Sequence, residues 1–240
     1  MTNIGPSVCR INNNSDISTG SLVQLEYDNP QEIIKVLLSS KFGFRGLDFK
    51  NVKPLDTKQI TFEFLSGKTK FTADEFCGGN PKMLFVAQHE MDKKVDVVAF
   101  KWAPSFILPD ELKFIEPKKA IAKGEEIVIY HYEETGDQKV AAGTVEEIRL
   151  TGKIKELSYT ATTPSQGIGA PVVDKRGRMV GIHQREVVKE AKEDGKKEEK
   201  RGEGLGIELI MNEIGSVFKS MQNSLFKFPN ELDIFYLTRT

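Results

Sequence analysis

Hydrolytic acyl transfer needs an oxygen or sulfur nucleophile, a base within hydrogen-bond reach of it, and donors aimed at the oxygen that becomes negative. This chain of 240 residues has few side chains suited to those roles. Its histidines are His89 in VAQHEMD, His131 in VIYHYEE and His183 in VGIH, and its thiols are Cys9 and Cys77. Ser165 stands just ahead of a glycine-rich turn, QGIGAPV. There Gly167, Gly169 and Pro171 punctuate a path along which the backbone must approach a substrate closely, and only small residues let amide donors converge. That turn is where an oxyanion hole would be. Cys77, in FCGGNP, looks by itself like a nucleophile turn, but a buried or loop thiol is the simpler reading. His89 could supply a displaced base, or be a polar histidine at a strand end, and His131 alternates with apolar neighbours as a strand residue does. Two thiols 68 positions apart cannot complete a zinc site alone, and they read as a reducing, cytoplasmic setting rather than a disulfide scaffold. No metal and no cofactor are expected.

The elements that must position these residues are short and β-rich. Runs such as Leu22 to Tyr27, Ile33 to Leu38, Gln59 to Leu65, Met83 to Gln88, Val95 to Trp102, Glu126 to Tyr132 and Gly143 to Leu150 recur between turn signals. Glu156 to Thr160, Ala170 to Val173, Arg178 to His183 and Gly204 to Ile210 continue the series. Short strands at this spacing, without alternating helices, predict an all-β barrel or sandwich. Asp174 to Gly177 reads as a four-residue turn joining Pro171–Val173 to Arg178–His183. One helix is expected near the end, where Ile214, Val217, Phe218, Met221 and Leu225 form an apolar stripe. Between Lys189 and Glu203, six basic and six acidic residues alternate closely around Gly195, which reads as a solvated hairpin loop.

Composition narrows the function classes. With 39% hydrophobic and 29% charged residues the chain can bury a sizeable core, and 34 basic against 35 acidic residues leave a formal charge of -1. No global field recruits nucleic acid or an anionic membrane. No stretch approaches the ~18 uninterrupted apolar residues of a membrane span, and the N-terminus has no apolar signal core, so an intracellular, cytoplasmic location and no membrane partner are expected.

Taken in order, GTVEEI (Gly143–Ile148), LSYTATTPSQGIGAPVVDKRGRMVGIH (Leu157–His183) and GLGIEL (Gly204–Leu209) form a pattern that resembles the second barrel of chymotrypsin-like, or trypsin-like, peptidases. Upstream, KGEEIVIYHY is similar to the strand that opens that barrel, and VDVVAF to the strand that carries the catalytic aspartate. The resemblance covers about residues 20 to 225. It implies a pair of perpendicular six-stranded antiparallel β-barrels with a C-terminal helix. The divisions expected are an N-terminal extension over 1–19, a first barrel over 20–110, a second barrel with the helix over 111–225, and a tail over 226–240.

Carried over position by position, the resemblance implies an altered centre. The motif G-x-S-G-x-P-V lays onto Gln166 to Val172 and puts Ile168 at the nucleophile position, while the motif L-T-x-x-H lays onto Leu38 to Phe42 and puts Phe42 at the base. Asp96 keeps the type of the orienting carboxylate. Separations of 54 residues from Phe42 to Asp96 and 72 from Asp96 to Ile168 suit a double barrel. Gln166 stands where the family has glycine, so Gln166, Gly167 and Gly169 form a vestigial oxyanion turn. In viral members of the fold the histidine of G-x-H lines the first substrate subsite. His183 with Gly204, Leu205 and Gly206, on the strand resembling the substrate-pairing edge, are therefore the expected peptide-binding residues. A half-buried histidine satisfied by a neighbour is the other reading of His183.

Three functions remain open at this level. The first is a pseudoprotease that binds or scaffolds a protein or extended peptide segment, resembling the compact viral and intracellular members of the fold. The second is an active endopeptidase in which His89 and Ser165 or Cys77 converge. The third is an RNA-binding or assembly subunit, which requires Lys118, Lys119, Lys175, Arg176 and Arg178 to share one face.

Overall fold

A computed structural model of the chain describes residues 3–13, 16–26, 33–44, 58–79, 84–88, 96–151, 154–189, 199–212 and 214–215. The first half contributes strands β1 (Val8–Asn13), β2 (Asp16–Glu26), β3 (Ile33–Ser40), β4 (Ile60–Phe64), β5 (Thr69–Thr72), β6 (Leu84–Gln88) and β7 (Asp96–Lys101). They form one antiparallel sheet in the order β5-β4-β1-β2-β3-β7-β6. The second half contributes β8 (Glu126–Tyr132), β9 (Gln138–Thr151), β10 (Ile154–Tyr159), β11 (Pro171–Asp174), β12 (Met179–Lys189) and β13 (Glu199–Gly206). These close into a six-stranded barrel, β10-β13-β12-β11-β8-β9. The fold is all-β, as expected, and the second barrel has its expected strand number. The first half differs, because it is a seven-stranded sheet whose outer strands β5 and β6 do not pair with each other among the described residues.

Part of that difference comes from β1. It lies in the asparagine-rich segment expected as an N-terminal extension, yet it pairs with β2 on one side and β4 on the other, and Val8, Cys9 and Ile11 are buried. Cys9 and Ile11 on one strand face and Val8 on the other outweigh the turn-prone asparagines around them.

Local alternation explains most of the elements. In β4, Ile60, Phe62 and Phe64 point inward while Thr61 and Glu63 do not, the period-2 pattern of a half-buried strand. Those inward rings join Phe44, Phe71, Phe76 and Phe100 in a core within the N-terminal sheet. A separate core of Ile127, Ile129, Val145, Leu157, Tyr159, Val172 and Val180 fills the barrel. A third joins the halves, with Val23, Leu25, Val36 and Leu38 from the sheet against Val128, Tyr130, Tyr132, Val173, Met179 and Ile182 from the barrel.

The chain turns helical at residues 207–212 and 214–215, where Ile207, Ile210, Met211 and Ile214 pack onto that joining core at helical spacing. The strand expected over Gly204–Ile210 therefore ends at Gly206, and the helix starts one to two turns earlier than the Ile214 stripe implied. Val217, Phe218, Met221 and Leu225 lie outside the described residues. The charged segment from Lys189 is strand at its ends. β12 runs to Lys189 and β13 begins at Glu199, with Arg185–Glu203 and Lys200–Glu186 ion pairs across the ladder.

Candidate functional site

The elements that carry the three positions singled out by the resemblance lie at the junction of sheet and barrel. Phe42 belongs to a 3-10 turn, Lys41–Phe44, that follows β3 directly. Asp96 opens β7, which runs beside β3 with Ser40 opposite Val97. Their side chains lie outside the described residues. Ile168, half-buried, follows a 3-10 turn at Ser165–Gly167. Its carbonyl accepts from the Thr19 amide at 3.1 Å. Gly169, at φ +88°, approaches so closely that a Cβ there would stand 2.3 Å from Ser39 Oγ and 2.8 Å from the Ser40 amide nitrogen. Only glycine fits both the left-handed backbone and the contact. The end of β3 and the 165–170 turn are thus held against each other.

The turn's amides are committed within the chain. Gly167 N–H donates to the Pro164 carbonyl at 2.8 Å, Ile168 N–H to Ser165 at 3.2 Å, Gly169 N–H to His183 at 2.9 Å and Ala170 N–H to Gly167 at 3.0 Å. Four consecutive donors therefore face internal carbonyls, whereas an oxyanion hole needs donors aimed at an empty point. Thr19 fixes this arrangement from the sheet side. Besides its amide bond to Ile168, its hydroxyl donates to the Gln166 carbonyl at 2.8 Å and accepts from the Tyr132 amide at 3.1 Å, and its carbonyl accepts from Ser39 Oγ at 2.8 Å. Sequence reasoning missed Thr19 because it was assigned to the extension. The available signal was the strand-like run ISTGSLVQL, in which Thr19 sits.

His183 is 1% exposed, inside the barrel, with Nδ1 2.7 Å from the Tyr159 hydroxyl. Burial, followed by the nearby His131, depresses its pKa to about 4, so the ring is neutral at physiological pH. His131 is also buried, its pKa lowered chiefly by desolvation, and its Nδ1 has no hydrogen-bond partner. His183 is thus a buried histidine satisfied by a tyrosine.

The structure corrects the expected pairing edge. Gly204 and Leu205 are paired on both sides, to His183 and Ile182 of β12 and to Leu157 and Glu156 of β10, and Gly206 pairs with Gly181. Barrel closure consumes that edge at Gly204 and Leu205. The neighbouring strand keeps one instead. β12 pairs with β11 only as far as Ile182, so among the described residues its outer edge from Gln184 onward has no strand beside it. Gln184 is 8% exposed and neither atom of its side-chain amide has a partner.

Of the residues proposed for an active centre, Cys77 and Ser165 lie in different parts of the fold. Cys77 lies in the phenylalanine core, and burial together with Asp74 pushes its thiol up to about 12; burial likewise raises Cys9. Neither is a thiolate at neutral pH. Ser165 is exposed on its turn, and His89 lies outside the described residues. No group of three metal-binding side chains occurs among the described residues, and none of their helices is long and apolar enough to cross a membrane.

No protein-family model matches the chain, and no curated protein matches it by sequence. Solved structures do match. The inactive form of a serine-to-alanine mutant of Rv3671c from M. tuberculosis H37Rv superposes with a TM-score of 0.57 at 16% identity, over 90% of this chain and 88% of that one. The HtrA-type protease AlgW with a tripeptide gives 0.59 at 14% identity, over 89% of this chain and 60% of that one. The serine endoprotease from Yersinia pestis gives 0.58 at 15% identity, over 90% and 64%. With these proteases as structural neighbours, and with a closed antiparallel barrel joined to a second β-sheet, the chain has the trypsin-like protease fold.

Proposed function

We propose that this chain is a catalytically inactive protein of the trypsin-like fold that binds an extended protein segment in the manner of an added strand. The observation that carries the reading is the 165–170 turn. The position matched to the nucleophile is Ile168, and the amides of residues 167–170 all donate to internal carbonyls. Phe42, at the position matched to the base, has no atom that can take a proton. Without nucleophile and base, acyl transfer would be limited to what residual binding provides. Binding has a structural basis of its own, because a peptide could extend the open edge of β12 with main-chain hydrogen bonds and meet the buried, unpartnered amide of Gln184. One structural neighbour, an engineered alanine variant of a protease, is described with a tripeptide.

The test is a proteome-derived peptide library incubated with the natural chain and with Phe42→His/Ile168→Ser, read by mass spectrometry for cleavage and for retained peptides. The expected result is no cleavage by the natural chain and enrichment of extended segments that slow amide exchange over residues 184–188. Specific cleavage would overturn the inactive reading. Absence of any retained peptide would overturn the binding reading.

A further inference from the structure

At the end of β11 remote from the 165–170 turn, a cleft of about 580 Å³ opens between residues 118–126 and the β11–β12 turn. Asp174 organises it. This carboxylate is nearly buried, and its Oδ1 accepts from the amides of Arg176 at 2.9 Å and Arg178 at 3.0 Å. Its Oδ2 accepts from Arg178 Nε at 3.1 Å and Nη2 at 2.7 Å, with Lys118 Nζ 3.7 Å away. Burial opposes ionisation of Asp174, but the donors of Arg178 and Arg176 outweigh it and hold the carboxyl below its ordinary range. Lys118 is also paired with Glu125, and its backbone is fastened to β12 through the Met179 carbonyl at 2.7 Å. Arg178 and Lys118 are therefore preset cations with their charge answered.

Lys175 and Arg176 differ. Both are exposed on the turn, both line the cleft, and neither side chain has an ion pair or hydrogen bond among the described residues. The turn that presents them is rigid, closed by the Gly177 amide on the Asp174 carbonyl at 2.9 Å with Gly177 at φ +78°. Across the cleft Gly124, at φ +86°, carries no side chain, and a Cβ there would meet nothing within 4 Å. Four cations against Glu125, Glu126 and Asp174 leave the lining at +1 in a chain whose net charge is -1.

We infer that this cleft is a binding site for a small phosphate-bearing anion, taken up by Lys175 and Arg176 with Arg178 and Lys118 behind them. A tetrahedral phosphate carries more negative charge and more acceptor oxygens than a single carboxylate, so it can engage a guanidinium fork and an ammonium with oxygens to spare. A cleft of this volume is of small-ligand size. A nucleic-acid backbone fits less well. It needs cations repeated along a path, and here Glu125 and Glu126 interrupt the basic wall. The site is independent of the strand-edge reading, since it lies beyond the far end of β11.

Titration calorimetry of the full chain at low salt, with inorganic triphosphate as the probe, tests the site. ATP and single-stranded RNA of increasing length form the other arms. The expected result is one saturable triphosphate site whose affinity falls at least ~10-fold in Lys175→Ala/Arg176→Ala, is partly kept by Arg176→Lys, and is unchanged by Lys68→Ala on the N-terminal sheet. Equal or tighter ATP binding with the same sensitivity supports a nucleotide as the source, and weaker ATP binding a free oligophosphate. Absence of saturable triphosphate binding, or equal binding by the double variant with an unaltered unfolding curve, overturns the inference. Affinity that rises with RNA length and is lost in the double variant also overturns it, in favour of a nucleic-acid surface.

Discussion

Gly169 and His183 meet through one hydrogen bond, and each carries a testable consequence. Adding a methyl at Gly169 puts an L side chain at φ +88° and drives it into Ser39, Thr19 and Ser40. Gly169→Ala is expected to cost about 3 kcal/mol or more on chemical denaturation, combining backbone strain with displacement of β3. A loss under ~1 kcal/mol would mean that the turn can leave the sheet freely. His183 sets a pH dependence. In the folded chain its pKa is about 4 and that of His131 is also lowered, whereas the unfolded chain takes up protons near the ordinary 6.5. Stability from keeping both rings neutral is fully present above about pH 6.5 and is lost as pH falls toward about 4. Between pH 6.5 and 5 the carboxyls with lowered pKa, Asp174, Glu63 and Glu125, remain ionised, so this window reports the histidines. The urea midpoint should fall across it, and His131→Asn should flatten the slope. A midpoint constant from pH 7.5 to 5 would contradict the buried neutral pair. Removing the Tyr159 hydroxyl strands a buried ring nitrogen, so Tyr159→Phe is expected to cost about 1–3 kcal/mol in a denaturant titration at pH 7.5.

Elements in this fold are set by side-chain alternation and trimmed by turn geometry. The β4–β5 hairpin closes through Leu65, Ser66 and Gly67 at φ +52°, +54° and +86°, three successive residues in the left-handed region. Gly67 is suited to it and Ser66 is not. Ser66 is exposed, and its contribution to the structure is an amide 3.4 Å from the Tyr132 hydroxyl, which any residue keeps. Ser66→Gly should therefore raise the unfolding free energy by about 0.5–1 kcal/mol, seen as a higher denaturation midpoint at an unaltered slope. No gain would show that the unfolded-state entropy of glycine offsets the relieved strain.

Sheet and barrel share one core, so the molecule should unfold as a unit. Ile182 is fully buried there, between Val173 and Met179 of its own barrel and the valines and leucines of β2 and β3. Ile182→Ala is expected to cost about 2–5 kcal/mol. Because the lost packing belongs to both halves, amides of β2 and β12 should lose exchange protection together. Loss confined to β12 would show that the halves unfold separately.

Much of the architecture was legible in the sequence because strand alternation, turn glycines and apolar spacing are local. β4, the Asp174–Gly177 turn and the glycine-rich 165–170 segment fall where their residues place them. That Ile168 and Phe42 carry no hydroxyl, thiol or imidazole is a matter of residue identity alone. Pairing partners and burial were not legible, since they depend on residues brought together from far along the chain. Only the closed barrel decides that Gly204 and Leu205 have no free edge, that β12 keeps one beyond Ile182, and that His183 faces Tyr159 in an apolar interior. Thr19 shows the same limit, because a threonine in an asparagine-rich leader gives no local sign that Gln166, Ile168, Ser39 and Tyr132 will converge on it. Local propensity chose the strands. Tertiary closure chose their neighbours, and with them which polar groups are buried, which are paired, and which edge stays open to a partner.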